Sequence, residues 1–203
     1  MNKFEESLRK YLSEDDLHKL GAVRIGIAGC GGLGSNCAFN LVRSGFKKFV
    51  IADFDKVESS NLNRQFYFLD QVGEEKVEAL KLNLSKINPD VEIDTLVERI
   101  EPGNSPDIFK DCDIIVEAFD KAECKSMLVE ELLPSGKLIV SASGLAGYGR
   151  TDEITVNRLK DNLVVVGDLK TGINESPPLS PRVNVAAAKQ ADIILEYILT
   201  ENS

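Results

Sequence analysis

Apolar positions along the chain fall into two alternating rhythms. Short, β-branched runs at residues 23–28, 49–53, 91–97, 113–117 and 137–141 have the length and make-up of buried strands. Between them the apolar residues recur at helical spacing. Residues 35–44 carry Ala38, Phe39, Leu41 and Val42 and close on Gly45; residues 72–87 carry Val77, Leu80, Leu84 and Ile87 and stop at Asn88-Pro89; residues 124–133 form a third such stretch. Residues 54–65 are too polar for a strand, and 102–111 read as a connection anchored by Ile108 and Phe109. This alternation predicts an α/β fold: a Rossmann-like, doubly wound, mainly parallel sheet with helices on both faces and right-handed crossovers.

Both ends depart from the repeat. Residues 2–20 carry a helical stripe (Phe4, Leu8, Tyr11, Leu12) and predict an extra N-terminal helix. Near the C-terminus, residues 154–159 and 163–166 flank Lys160-Asp161-Asn162, which predicts antiparallel strands appended at the C-terminal side. Residues 171–181, with three prolines and two serines, are expected to form an irregular, mobile crossover segment, and 182–200 to form the closing helix.

The 203 residues suit a single domain spanning 1–203. No window is long and apolar enough for a membrane span. The first six residues lack an apolar signal core, so a cytoplasmic location is expected. A net charge of −9 argues against a nucleic-acid or anionic-membrane partner, so any phosphate site must be a local basic pocket in an acidic body. Cys30, Cys37, Cys112 and Cys124 form no C-x-x-C pair and have no histidine at metal spacing; reduced, apolar thiols are expected. The single histidine, His18, sits near Asp15 and Asp16 and suits a surface role.

The first strand runs straight into Gly29-Cys30-Gly31-Gly32-Leu33-Gly34, a helix follows, and the second strand ends at Asp53, 19 positions after Gly34. Glycines Gly29, Gly31, Gly32 and Gly34 in this βαβ context, with a terminal acid placed for a ribose hydroxyl, point to a nucleotide whose phosphates meet the helix N-terminus. A dehydrogenase would need a second domain and a hydride-transfer acid or base, and this chain offers neither. It carries instead residues 53–65 (Asp53-Phe54-Asp55-Lys56-Val57-Glu58-Ser59-Ser60-Asn61-Leu62-Asn63-Arg64-Gln65), then Gly73-Glu74-Glu75-Lys76, and Asp120 beyond the fourth strand.

On these pieces the chain resembles the ThiF, MoeB and HesA group of ubiquitin-activating-enzyme-like adenylyltransferases, over about 115 residues from Gly29 to Gly144. It looks most like the short ThiF branch of thiamine biosynthesis. The resemblance implies that ATP, with Mg2+, adenylylates the C-terminal glycine carboxylate of a small ubiquitin-fold sulfur carrier ending in Gly-Gly, a ThiS-like protein, and that a separate donor brings sulfur. It implies that Asp53 holds the ribose, and that Asp55, Ser60, Asn61 and Asn63 belong to the nucleotide site. Arg64 and Lys76 would neutralise phosphate charge and Asp120 would hold magnesium. Asn61 and Arg64, three apart, are expected to face one way on a helical turn. It also implies a homodimer in which an N-terminal arginine, best matched by Arg9, reaches the partner's nucleotide. Three departures stand out: Lys121 follows Asp120 where the family has asparagine, the cysteine pairs of a structural zinc site are missing, and residues 171–181 hold no cysteine. The same reaction on a molybdopterin-type or other carrier, an NAD(H)-binding regulator or oxidoreductase, and a non-catalytic carrier-docking scaffold remain alternatives.

Overall fold

The computed structural model of the protein describes residues 2–172 and 176–200. Its frame is a seven-stranded sheet in the order β3-β2-β1-β4-β5-β7-β6, built from β1 (Arg24–Ala28), β2 (Lys48–Ala52), β3 (Glu92–Leu96), β4 (Ile114–Glu117), β5 (Leu138–Ala142), β6 (Thr155–Lys160) and β7 (Leu163–Gly167). All neighbours pair in parallel except β6 and β7. The doubly wound architecture is therefore as the apolar rhythm predicts, with one refinement at the C-terminal side. β7 joins the parallel set beside β5, and only the edge strand β6 runs against it. Burial explains the choice: Leu163-Val164-Val165-Val166 is apolar on both faces and is covered on both, whereas β6 is mostly exposed.

The helices α2 (Glu14–Ala22), α3 (Gly32–Arg43), α4 (Lys76–Ser85) and α7 (Ser180–Thr200) cover one face, and α5 (Ser105–Ile108) and α6 (Ala122–Leu132) the other. Strand alternation divides the core accordingly. Ile25 and Ile27 of β1 face the larger cluster with Leu41, Leu80 and Ile194, while Ala28 faces the smaller one with Phe109 and Leu128. Gly26 is the tightest spot on that second face: a Cβ there would lie 2.6 Å from the Phe109 ring and 2.9 Å from Ile115 Cδ1.

Two helix predictions are corrected. Residues 2–20 form not one helix but two, α1 (Lys3–Leu8) and α2, because Ser13 and Asp16 make a reciprocal capping box that restarts the chain. The helix expected over 72–87 begins only at Lys76, since Gly73 sits at φ +98° and Leu69–Gln71 is a separate 3-10 turn. Part of the crossover segment expected at 171–181 lies outside the described residues. Among the described residues no helix is long and apolar enough to cross a membrane.

Candidate active site

β1 and β4 are neighbours, yet the chain leaves β1 toward β2 and β3 on one side and returns to β4 on the other. The C-terminal ends of β1 and β4 therefore flank the point where the winding reverses, and connections leaving these ends diverge to open a crevice. The glycine turn occupies the β1 side. Gly29 adopts φ +96° and donates its N–H to Ala52 O at 2.9 Å. A Cβ on Gly34 would lie 1.9 Å from Gly29 O, so only glycine lets α3 start this close to the strand. Gly31 is the N-cap of α3 and offers no side-chain cap. The nearest atom to a Cβ built on it is Gln65 Nε2 at 3.9 Å. At Gly31 the start of α3 thus presents open backbone with a positive helix-dipole end, whereas at Gly32 a Cβ would stand 2.9 Å from Val183 Cγ1.

Asp53 follows β2 and braces this turn. Its Oδ2 accepts from Cys30 N–H at 2.6 Å and its Oδ1 from Asp55 N–H at 2.8 Å. Burial raises its pKa, against the lowering by those two N–H groups and by Lys76. Each oxygen keeps a second lone pair, which suits acceptance from hydroxyls. Lys76, first residue of α4, is buried and donates from Nζ to Asp55 Oδ2 at 2.8 Å, while its own N–H reaches Asp55 O at 3.0 Å. Tyr67 joins these parts. Its hydroxyl is 2.8 Å from Cys30 O and 3.3 Å from Lys76 O, and burial pushes its pKa up, so it stays a protonated donor.

Residues 59–65 lie over the first turn of α3. Ser35 Oγ accepts from Phe66 N–H at 3.0 Å, and Asn36 Nδ2 donates to Arg64 O at 2.8 Å and to Gly32 O at 2.7 Å. The stem of Arg64 rests beside Gly32, its Cγ 3.5 Å from where a Cβ of that glycine would stand. The Arg64 guanidinium meets Asn63 Oδ1 at 2.8 Å and Ser60 O at 3.3 Å, and Asn63 Nδ2 reaches Pro178 O at 3.3 Å ahead of α7. Asn61 and Arg64 belong to one continuing turn, with Arg64 N–H donating to Asn61 O at 3.1 Å, but their side chains take different partners. The 3-10 turn ends at Asn61, whose Oδ1 turns inward to accept from Glu58 N–H at 3.1 Å, while Ser60 Oγ donates to Glu58 Oε2 at 3.1 Å. Gln65, part of the same motif but without an assigned task, is buried with its Nε2 near Gly31 and its Oε1 unpartnered among the described residues.

Across the crevice, Ala118 N–H donates to Ala28 O at 3.0 Å, and Ala118 O and the Phe119 ring sit within 3.4 Å of a Cβ built on Gly29. Asp120 comes next in the chain, exposed, and accepts no hydrogen bond from the described residues. Lys121 rather than Asp120 holds the N-cap position of α6. Arg9 lies elsewhere. Helix α1 is tied to Lys47 through Glu5 (2.6 Å) and to Asn88 through Asn2 (2.7 Å), at the strand-entry end of the sheet, and Arg9 pairs with Glu14 at 3.0 Å. It is thus at the opposite end from its own chain's crevice. Cys30 is buried and its thiol pKa is raised, first by burial, so it is not a poised nucleophile.

Sequence reasoning passed over Tyr67, Glu117 and the pair Asp168–Arg182. Their partners come from distant segments, so no local spacing marks them. Arg182 of α7 donates to Asp168 Oδ2 at 2.6 Å and to the carbonyls of Gly149 and Arg150 at 2.9 Å each, buttressing the C-terminal flank of the crevice.

The ThiF family description matches residues 4–196. The adenylyltransferase and sulfurtransferase UBA4 of Candida glabrata is 34% identical over 142 residues, covering 70% of this chain and 33% of that protein. The tRNA threonylcarbamoyladenosine dehydratase 2 of Saccharomyces cerevisiae is 34% identical over 181 residues, covering 84% of this chain and 36% of that one. The chain thus spans about a third of the length of these curated relatives. Among solved structures, the E. coli tRNA N6-threonylcarbamoyladenosine dehydratase TcdA in complex with ATP has a TM-score of 0.86 at 21% identity, covering 98% of this chain and 95% of that one. At that identity the likeness is one of fold. The chain belongs to the ThiF family.

Proposed function

We propose that this ThiF-family chain is an adenylyltransferase that uses ATP to activate the C-terminal glycine carboxylate of a small ubiquitin-fold sulfur carrier, with a ThiS-like carrier of thiamine thiazole synthesis as substrate. A carboxylate with a pKa of about 3.5 is already ionised at neutral pH and needs no general base. One of its oxygens bonds to the α-phosphorus, the bond from that phosphorus to the bridging oxygen breaks, and pyrophosphate departs with the electron pair. The barrier lies in bringing two anions together and in stabilising charge on the leaving group, so cations and positioning are what the site must supply. The observation that supports this best is the crevice itself. The helix start, which is open at Gly31, lies with Asp53 and Lys76 on the β1 side, and a carboxylate with no hydrogen-bond partner among the described residues follows β4 on the other.

In this reading the backbone of 31–34 meets the phosphates and Asp53 accepts from the ribose hydroxyls. Asp55, Ser60, Asn61 and Asn63 frame the pocket, the first by holding Lys76 and the others by shaping the turn under Arg64. Arg64 leaves its contacts with Ser60 and Asn63 to grip phosphate oxygens through its planar fork. Lys76 exchanges Asp55 for the triphosphate. The orphaned Oε1 of Gln65, whose amide nitrogen lies near Gly31, suits a ligand donor. A lone exposed carboxylate at Asp120 fits Mg2+, which is held by one or two carboxylates together with substrate phosphates. When bound, that ion neutralises phosphate charge. Arg9 faces away from its own crevice, which suits completion of a partner's site in a homodimer.

The named activity of UBA4 favours a sulfur carrier. A second reading, ATP activation of a carboxylate carried on tRNA, draws on the dehydratase relative. The net charge of −9 weighs against an RNA substrate. ATP–pyrophosphate exchange separates the two. Exchange that requires a Gly-Gly carrier, and is greatest with the ThiS-like member of a carrier panel, is expected. Exchange driven by tRNA and indifferent to every carrier overturns the proposal.

A further inference from the structure

Glu117 is a buried ionisable group whose carboxylate is met by Phe119 N–H, Lys125 and Ser141, and it has no part in the reading above. It is the last residue of β4 and is fully buried. Ladder pairing between β4 and β5 ends one residue earlier, at Val116 and Val140, so the strands part where Glu117 and Ser141 begin. Side chains take over from the ladder there. Ser141 Oγ donates to Glu117 Oε2 at 2.5 Å, and Gln190 Nε2 of α7 donates to Val140 O at 3.1 Å and Glu117 O at 3.3 Å. Oε1 accepts from Phe119 N–H at 2.7 Å, and Lys125 Nζ lies 3.1 Å from both carboxylate oxygens.

These contacts enclose the connection that carries Asp120. Residues 118–121 leave β4 in a turn closed by the Glu117–Phe119 hydrogen bond and enter α6, where Lys125 N–H reaches Lys121 O at 3.1 Å while its ammonium is bound to the same Glu117. One carboxylate therefore ties together the strand before Asp120, the residue before it and the helix after it. A well-packed apolar residue would serve the core as well or better, because stripping a carboxylate of water is costly. What an apolar residue cannot do is accept from Phe119 N–H and Lys125 at once.

We infer that Glu117 is a positioning residue that aims the Asp120 carboxylate at a magnesium–nucleotide complex; this rests on the adenylylation reading. The test measures ATP binding by calorimetry with and without Mg2+, together with amide exchange at residues 118–121. The proteins are wild type, Glu117→Gln and the double variant Glu117→Gln/Lys125→Met, which removes both charges and so leaves neither unpaired if the single variant folds poorly. The expected result is magnesium-free ATP affinity close to wild type, a loss of about tenfold or more in magnesium-dependent tightening, as for groups that orient metal-binding carboxylates, and faster exchange at 118–121. Folded variants with the wild-type magnesium response, or with equal losses in the presence and absence of magnesium, overturn the role of Glu117 alone. A wild-type protein that binds no ATP defeats the adenylylation reading and this inference with it.

Discussion

Gly34→Ala probes the glycine turn where its geometry is least forgiving. The added Cβ would stand 1.9 Å from Gly29 O, 3.0 Å from Gly29 C and 3.1 Å from Ile27 Cγ2. An ordinary close carbon–oxygen approach is about 3.3 Å, so from the 1.9 Å contact the turn and α3 must separate by about 1.4 Å. The opposing atoms are backbone, so no rotamer change relieves the clash. Overpacking of this kind costs about 1–3 kcal/mol, and a backbone neighbour places this site near the upper figure. At about 2–4 °C per kcal/mol for a domain of this size, the midpoint of thermal unfolding should fall by roughly 6–12 °C. Displacing the helix start by about 1 Å should also cost roughly a hundredfold in carrier-dependent pyrophosphate exchange. Gly31→Ala is the internal control: its Cβ meets only Gln65 Nε2 at 3.9 Å, so stability should hold while the methyl group keeps phosphate away from the helix start. Scanning calorimetry and exchange on both proteins check this. A Gly34→Ala midpoint within about 2 °C of wild type refutes the packing argument, and Gly31→Ala with wild-type ATP affinity refutes the phosphate assignment.

Arg64→Ala and Asp120→Ala should each lower carrier-dependent exchange by about a hundredfold or more, with little change in thermal midpoint because neither side chain is buried; near-normal exchange in either removes that residue from the site. Asp55→Asn takes the counter-charge from the buried Lys76, so the nucleotide-free protein should melt lower than wild type and gain more from saturating ATP, an ordering that differential scanning fluorimetry reads directly. The Asp168 pKa is raised by burial but lowered overall by donors from Thr171 and Lys170 and by Arg182. A depressed carboxylate adds stability that is full above its unfolded value of about 3.9 and fades as pH falls through the folded one. The stability gap between wild type and Asp168→Asn should therefore narrow as pH falls below about 5; a gap unchanged by acidification counts against the Asp168–Arg182 pair.

The elements that sequence reading found are those whose cause is local. A strand of period two, a helix of period 3.6 and a glycine that must adopt positive φ each announce themselves within a few residues, and with them came the glycine turn of Gly29 to Gly34 and the terminal acid Asp53; Lys76 was pointed out only by the family resemblance. Boundaries shifted where a second local signal competed. The Ser13–Asp16 box cut the first helix in two and Gly73 delayed the start of α4. The position of β7 was readable in principle, since Leu163 to Val166 is apolar on both faces, as a strand with neighbours on each side must be.

What the tertiary structure alone decided is which distant groups meet. Asn61 turned inward to cap Glu58, and Lys76 found Asp55 as a partner, because side-chain direction follows the packing of the 3-10 turn and of α4 rather than residue spacing. Arg9 fell at the strand-entry end because α1 docks on Lys47 and Asn88. Glu117, Ser141, Lys125 and Gln190 come from four different elements and gather where two strands part. Periodicity tells a residue which face it occupies, but only the assembled sheet and helices determine which buried charge must be satisfied, and by whom.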